Sequence, residues 1–180
     1  MRWLGFALWA LLVLIARSAL APRLELFGTR PDWLFVFAIF LGLYARRSDA
    51  IIGAWILGAC ADLMTLERLG FLALSYGFAA YLVVTVREYL FRYHWQTQFL
   101  ITLIVGLLIR LVWGIYRLAM YPDAVWTVWS IMAEVVVGAV YTAAFAPPIH
   151  KLFLSVPRLL GLSKPRYSFS GPRTVEGSRV

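Results

Sequence analysis

A chain of 180 residues that is 62% hydrophobic and only 14% charged, with mean hydropathy +0.79, holds more apolar side chains than one small soluble core can bury, since soluble domains run about 45–50% apolar. That excludes an ordinary water-soluble domain, and the apolar runs recurring from Trp3 to Ile149 point to an integral membrane protein with several spans. The net charge of +8 would suggest nucleic acid in a soluble protein. Here it reads as positive-inside bias and contact with anionic lipid, with no nucleic acid implied.

Segment one covers residues 3–21. It imitates a signal peptide, with Arg2, an apolar run and Ala19-Leu20-Ala21. Pro22 at the first mature position, Arg17 inside the run and a length beyond the usual h-region of about 7–15 residues favour an uncleaved first span. Segments two (31–45) and three (49–64) are short for the ~20 residues that cross a bilayer core of about 30 Å. A re-entrant hairpin of the two would carry Arg46 and Arg47 to mid-membrane at about 2.5–3.5 kcal/mol each. Two short spans are expected instead, with thinning and snorkelling covering the deficit. Segments four (69–87), five (97–120) and six (124–150) complete a six-span transmembrane domain over residues 1–153.

From 154 to 180 the composition changes. Basic and apolar residues alternate as in an interfacial segment, and then Pro, Gly and Arg follow without periodicity. A basic cytoplasmic segment is expected, interfacial and then disordered, with anionic lipid headgroups as its partner. Placing the N-terminus inside puts 11 Lys and Arg in the inner set and 4 in the outer set, with Arg17 and Arg110 embedded, which accounts for all 17. Both termini are therefore expected in the cytoplasm.

Chemistry-bearing motifs are scarce. No phosphate-binding glycine loop or metal-spaced histidine pair occurs, so no catalytic residue, metal or cofactor is expected. Cys60 and Asp62 are two residues apart and point in different directions on a helix, which makes Cys60 a small core residue rather than a nucleophile.

Ionisable residues inside the bilayer are costly and need partners. Depths at 1.5 Å rise per residue place Arg110 and Glu134 at matching levels in segments five and six. Gly106 and Gly114 flank the first, and Ser130, Gly138 and Thr142 lie on the stripe of the second. An intramembrane ion pair between Arg110 and Glu134 is expected, in a seam of small residues that lets the helices approach. Arg17 and Asp62 fall at the outer ends of their segments, where they could pair. Ala50, Ala54, Gly58 and Asp62 share one small face of segment three, and Asp62 is also placed to cap the next helix through "DLMTLERLG".

The stretch from Arg30-Pro31-Asp32 through Arg46-Arg47, Gly58, Asp62-Leu63, Leu69-Gly70, Ala80-Tyr81-Leu82 and Phe91-Arg92 to Trp95-Gln96 resembles MreD, a family of bacterial rod-shape-determining membrane proteins. The similarity covers about residues 28–115. It implies an all-α inner-membrane protein, a six-helix transmembrane bundle, with no catalysis. It also implies a fold shared with the substrate-binding S-component of energy-coupling-factor transporters, whose alternative function would be capture of a vitamin or lipid. The implied role is a scaffold of the cell-elongation machinery that helps organise peptidoglycan synthesis. MreC is the implied direct partner, beside MreB, RodA and a penicillin-binding protein. Arg17, Arg30, Pro31, Asp32, Gly58, Asp62 and Gly70 are the candidate structural or partner-contact residues. The Arg110–Glu134 pair and the basic tail are not part of the family pattern.

Overall fold

The computed structural model describes residues 3–25, 29–65, 70–89, 94–120 and 128–155. Among the described residues six α-helices form: α1 (Trp3–Leu20), α2 (Trp33–Tyr44), α3 (Arg47–Asp62), α4 (Phe71–Val86), α5 (Trp95–Met120) and α6 (Val128–Ser155). Short 3-10 turns occupy Ala21–Leu24 and Arg87–Tyr89. The helices alternate in direction, so one end of the bundle collects the C-termini of α1, α3 and α5 and the N-termini of α2, α4 and α6.

α2 is the axis of the fold. Its sequence is apolar all round, and every residue from Leu34 to Leu43 is buried. A helix without a polar face has to be wrapped by others, and α1, α3, α4 and α6 all pack on it. Phe37 and Phe40 of α2 meet Phe153 of α6 with ring centroids 4.7 and 5.0 Å apart, and Trp9 of α1 reaches the same Phe153 edge-on at 4.9 Å.

Around this axis stand two close helical hairpins. α3 lies on α4, meeting it at Gly58, and Ala50, Ala54 and Gly58 are all buried. A Cβ at Gly58 would overlap the Leu72 carbonyl and Ala73 Cα of α4, so glycine sets that approach. The small face expected on segment three is thus a packing face, and α4 occupies it. α5 lies on α6 in the same manner, with Gly114 against Ile131, where an added Cβ would come within 2.8 Å of the Ile131 Cγ2. Between apolar helices in lipid, such contact of packed surfaces replaces the hydrophobic effect as the force that holds them.

Among the described residues, three helices are long and apolar enough to cross a membrane: Phe71–Tyr89, Trp95–Met120 and Trp129–Ser155. α1 and α2 are apolar but shorter. Large apolar side chains cover the exterior, including Leu4, Leu8, Leu11 and Ile15 on α1 and Ile104, Leu108, Leu111 and Ile115 on α5. That surface suits acyl chains.

Arg46 and Arg47 are exposed at the end of the bundle opposite the α2 start, and Arg47 lies over the Tyr81 ring at 5.9 Å. Nearby, Arg87 donates to the carbonyls of Gly42 (3.1 Å) and Ala45, the last acceptors of α2. α6 is described from Val128, and the start expected at 124 lies outside the described residues. The basic tail from 156 onward lies outside the described residues.

Candidate functional site: a charged junction at one end of the bundle

Asp32 precedes α2 in an extended conformation and caps it, its Oδ1 accepting from the Phe35 amide at 3.2 Å. Aspartate at this position satisfies an amide that the helix leaves unpaired. The same carboxylate takes an ion pair from Arg17 of α1, Nη1 to Oδ1 at 3.4 Å. Its other oxygen, Oδ2, accepts from the hydroxyl of Tyr76 of α4, a fully buried ring. The Asp32 amide donates to Thr142 Oγ1 of α6 at 3.3 Å, and that hydroxyl oxygen also accepts from Arg110 Nη2 of α5 at 3.4 Å. Asp32 and its neighbours therefore join α1, α2, α4, α5 and α6 at one level.

Asp62 performs the matching task for α4. The carboxylate is 2% exposed. Its Oδ2 accepts from the amides of Gly70 and Ala73, and its Oδ1 from that of Leu72, all at 3.0 Å. Gly70 has φ +99°, a left-handed conformation that costs a side-chain-bearing residue about 1–2 kcal/mol. This turn aims the first amides of α4 back at Asp62. The two aspartates are thus placed as acceptors at the starts of the two helices that follow them.

Arg17 pairs with Asp32 and not with Asp62. Both acids lie at the same end, but α1 packs on α2, which puts Asp32 within its reach. Arg30 is exposed and bonds Glu25, with Nε and Nη2 each 2.8 Å from Oε2. Pro31 is buried beside it.

The expected Arg110–Glu134 pair is replaced by another. Glu134 Oε2 accepts from Arg117 Nη1 at 3.2 Å, and the Arg117 guanidinium also stacks on Trp113, 3.7 Å from the ring centroid. The reason is register: in the antiparallel α5–α6 pair Arg117 lies opposite Glu134 and Arg110 opposite Thr142, and the seven residues between the two arginines are about two helical turns. Gly138 makes room for Arg110, since a Cβ there would overlap the guanidinium.

Two cavities adjoin this junction. One, of about 410 Å³, is lined by polar groups that include Arg17, Ser18, Arg30, Asp32, Thr65 and Arg110. The other, of about 160 Å³, runs between α4 and α5 along Phe35, Leu72, Ile109 and Trp113, with Asp32, Tyr76, Arg110 and Glu134 at its polar margin. Asp32 and Arg110 border both. The sequence reading missed Tyr76 and Arg117. A tyrosine inside an apolar segment reads as an anchor in the headgroup layer, and Arg117 near a segment end reads as a loop charge. The signal for Arg117 was its spacing of seven from Arg110, which puts both on one helix face.

An apolar exterior, six helices and charges gathered at an internal junction define an all-α integral membrane protein whose ionisable groups hold helix ends together. The sequence model of one family, described as rod shape-determining protein MreD, matches residues 1–156. The chain belongs to this family, and it is a rod-shape-determining membrane protein. Neither the curated proteins nor the solved structures provide a match.

Proposed function

We propose that this chain is a non-enzymatic scaffold of the bacterial cell-elongation machinery, which binds the transmembrane segment of MreC in the inner membrane and so couples the shape-determining proteins to peptidoglycan synthesis. The family match over residues 1–156 carries the reading. The use made of the buried acids supports it: the oxygens of Asp32 and Asp62 are committed to helix starts and to Arg17 and Tyr76, a positional task rather than turnover. In this proposal all six helices cross or line the membrane. The end bearing Arg46, Arg47, Arg87 and Lys151 faces the cytoplasm with both termini, and the Asp32 end faces outward. Contact with MreC falls elsewhere than on the small face of α3, which α4 already covers. MreB, RodA and a penicillin-binding protein are reached through the assembly.

The test is co-purification of MreC with the tagged chain in detergent, together with cell shape on depletion. MreC is expected to co-purify, and rod-forming cells are expected to round. Normal rods after clean deletion in a rod-forming host would overturn the proposal. The cavities beside Asp32 favour a second reading, a small-ligand-binding subunit of the energy-coupling-factor type. Thermal stabilisation of the purified protein by a vitamin, without MreC capture, would select it.

A further inference from the structure

Four arginines line or flank the junction, and three of them have a carboxylate. Arg17 pairs with Asp32, Arg30 with Glu25, and Arg117 with Glu134. Arg110 has no carboxylate within ion-pair distance among the described residues. The arginine left without a carboxylate is the one that borders both cavities.

The hydrogen bonding of Arg110 has the same imbalance. A guanidinium carries five N–H donors, and one of them reaches Thr142 Oγ1, at a long 3.4 Å. The group is laid against the Gly138 backbone, in space that only glycine leaves open. A cation embedded in a membrane protein without an anionic partner is expensive. Its side chain lines a polar cavity of about 410 Å³ and a largely apolar cavity of about 160 Å³.

We propose that Arg110 is the anion-binding centre of a site for a phosphate-bearing amphiphile. The phosphate lies in the polar cavity between Arg110 and Arg17, and the apolar portion lies along Phe35, Leu72, Ile109 and Trp113 between α4 and α5. Guanidinium groups match phosphate oxygens in pairs, which makes arginine suited to this task. A phosphodiester carries one negative charge and matches the single guanidinium left without a carboxylate. The neighbouring carboxylate of Asp32 disfavours a doubly charged phosphate monoester at the same spot. The proposal is independent of whether the chain docks MreC.

The full-length protein, purified in dodecyl maltoside, is titrated with phosphatidylglycerol and with phosphatidylcholine and followed by native mass spectrometry. Inorganic phosphate is tested in parallel by thermal shift. One phosphatidylglycerol is expected to bind in preference to phosphatidylcholine, and Arg110→Gln is expected to weaken it roughly tenfold or more, the usual cost of losing a hydrogen bond to a charged group. Arg23→Gln, an exposed arginine at the same end, leaves binding unchanged. Ile109→Trp fills the apolar cavity and is expected to weaken phosphatidylglycerol binding while sparing any effect of inorganic phosphate. Arg110-dependent stabilisation by inorganic phosphate alone would uphold the anion centre and assign it a soluble ligand. Equal lipid binding by wild type and Arg110→Gln would overturn the proposal. So would binding of neither probe to folded wild-type protein. Should Arg110→Gln fail to fold, undiminished phosphatidylglycerol binding by Ile109→Trp overturns it equally.

Discussion

Asp62→Ala removes the common acceptor of three amides at the start of α4. The Ala73 residue is 1% exposed, so its amide has no route to water once the carboxylate is gone. The amides of Gly70 and Leu72 belong to half-buried residues and recover part of their hydration. A buried donor left unsatisfied costs about 1–3 kcal/mol. Ala73 at that full range, with the other two near its lower bound, gives a loss of roughly 3–5 kcal/mol. For a chain of this size each kcal/mol lowers Tm by about 2–4 °C, so a drop of roughly 6–20 °C is expected in thermal unfolding of the purified protein. Asp62→Asn fills the same space and keeps its oxygen toward the Gly70 and Ala73 amides, but turns its NH₂ toward that of Leu72 and gives up the charge, so a loss smaller than that of Asp62→Ala is expected. Cys60, half-buried on α3 two residues away, supplies a second readout: maleimide labelling should begin at a lower temperature as α3 and α4 separate. If both variants unfold within about 2 °C of wild type, the three bonds to Asp62 do not hold α4 in place and the reasoning fails.

Gly58→Ala forces a Cβ onto the backbone of α4, where no flexible side chain can yield, and should cost about 1–3 kcal/mol in the same thermal assay. Gly70→Ala has open space around it and only the left-handed φ against it, so a smaller loss of about 1–2 kcal/mol is expected. For the α5–α6 seam, Arg117→Glu or Glu134→Arg alone should lower the yield of folded protein, and the double reversal should restore it. Combining Arg110→Glu with Glu134→Arg should give no such rescue, and a rescue there would refute the observed register. Tyr76→Phe withdraws one donor from Asp32 and should destabilise by about 1–2 kcal/mol, clearly less than Asp32→Ala, which strands Arg17, the Phe35 amide and the Tyr76 hydroxyl together.

Chain order and helical class were legible in the sequence because each apolar run ends in charge or in glycine and proline. The place of Asp62 was legible for a local reason. An acid closing one helix, with a glycine a few residues on, describes a turn whose partners are close in sequence. Lateral arrangement was not legible. Arg17 finds Asp32 rather than Asp62 because α1 rests on α2, and segments that are apolar on every side carry no periodicity to say which neighbour they face. Register between α5 and α6 failed for a narrower reason. Depth was counted from segment ends that composition does not fix, and an error of about two turns along the seam is enough to exchange Arg110 for Arg117, seven residues away.

The position of α2 explains why charge is gathered where it is. Twelve residues of helix reach only about 18 Å, against a hydrocarbon core of about 30 Å. In the six-span arrangement proposed above, non-helical backbone continues the path at one or both ends, and such backbone is tolerated at membrane depth only where protein or a water-filled cavity satisfies it. At the Ala45 end, Arg87 reaches the carbonyls of Gly42 and Ala45. At the other end, Thr142 accepts from the Asp32 amide, Asp32 caps the helix, and Arg17 and Tyr76 compensate the carboxylate this introduces. Each arginine or acid is then the cost of ending a short helix inside the bundle, and the partners follow in turn. Arg110 is the member of this set that the described residues leave without an anion. Its neighbour Thr142 is already engaged by Asp32, so the chain of compensation that begins with a short central helix ends at an unmatched guanidinium facing two cavities.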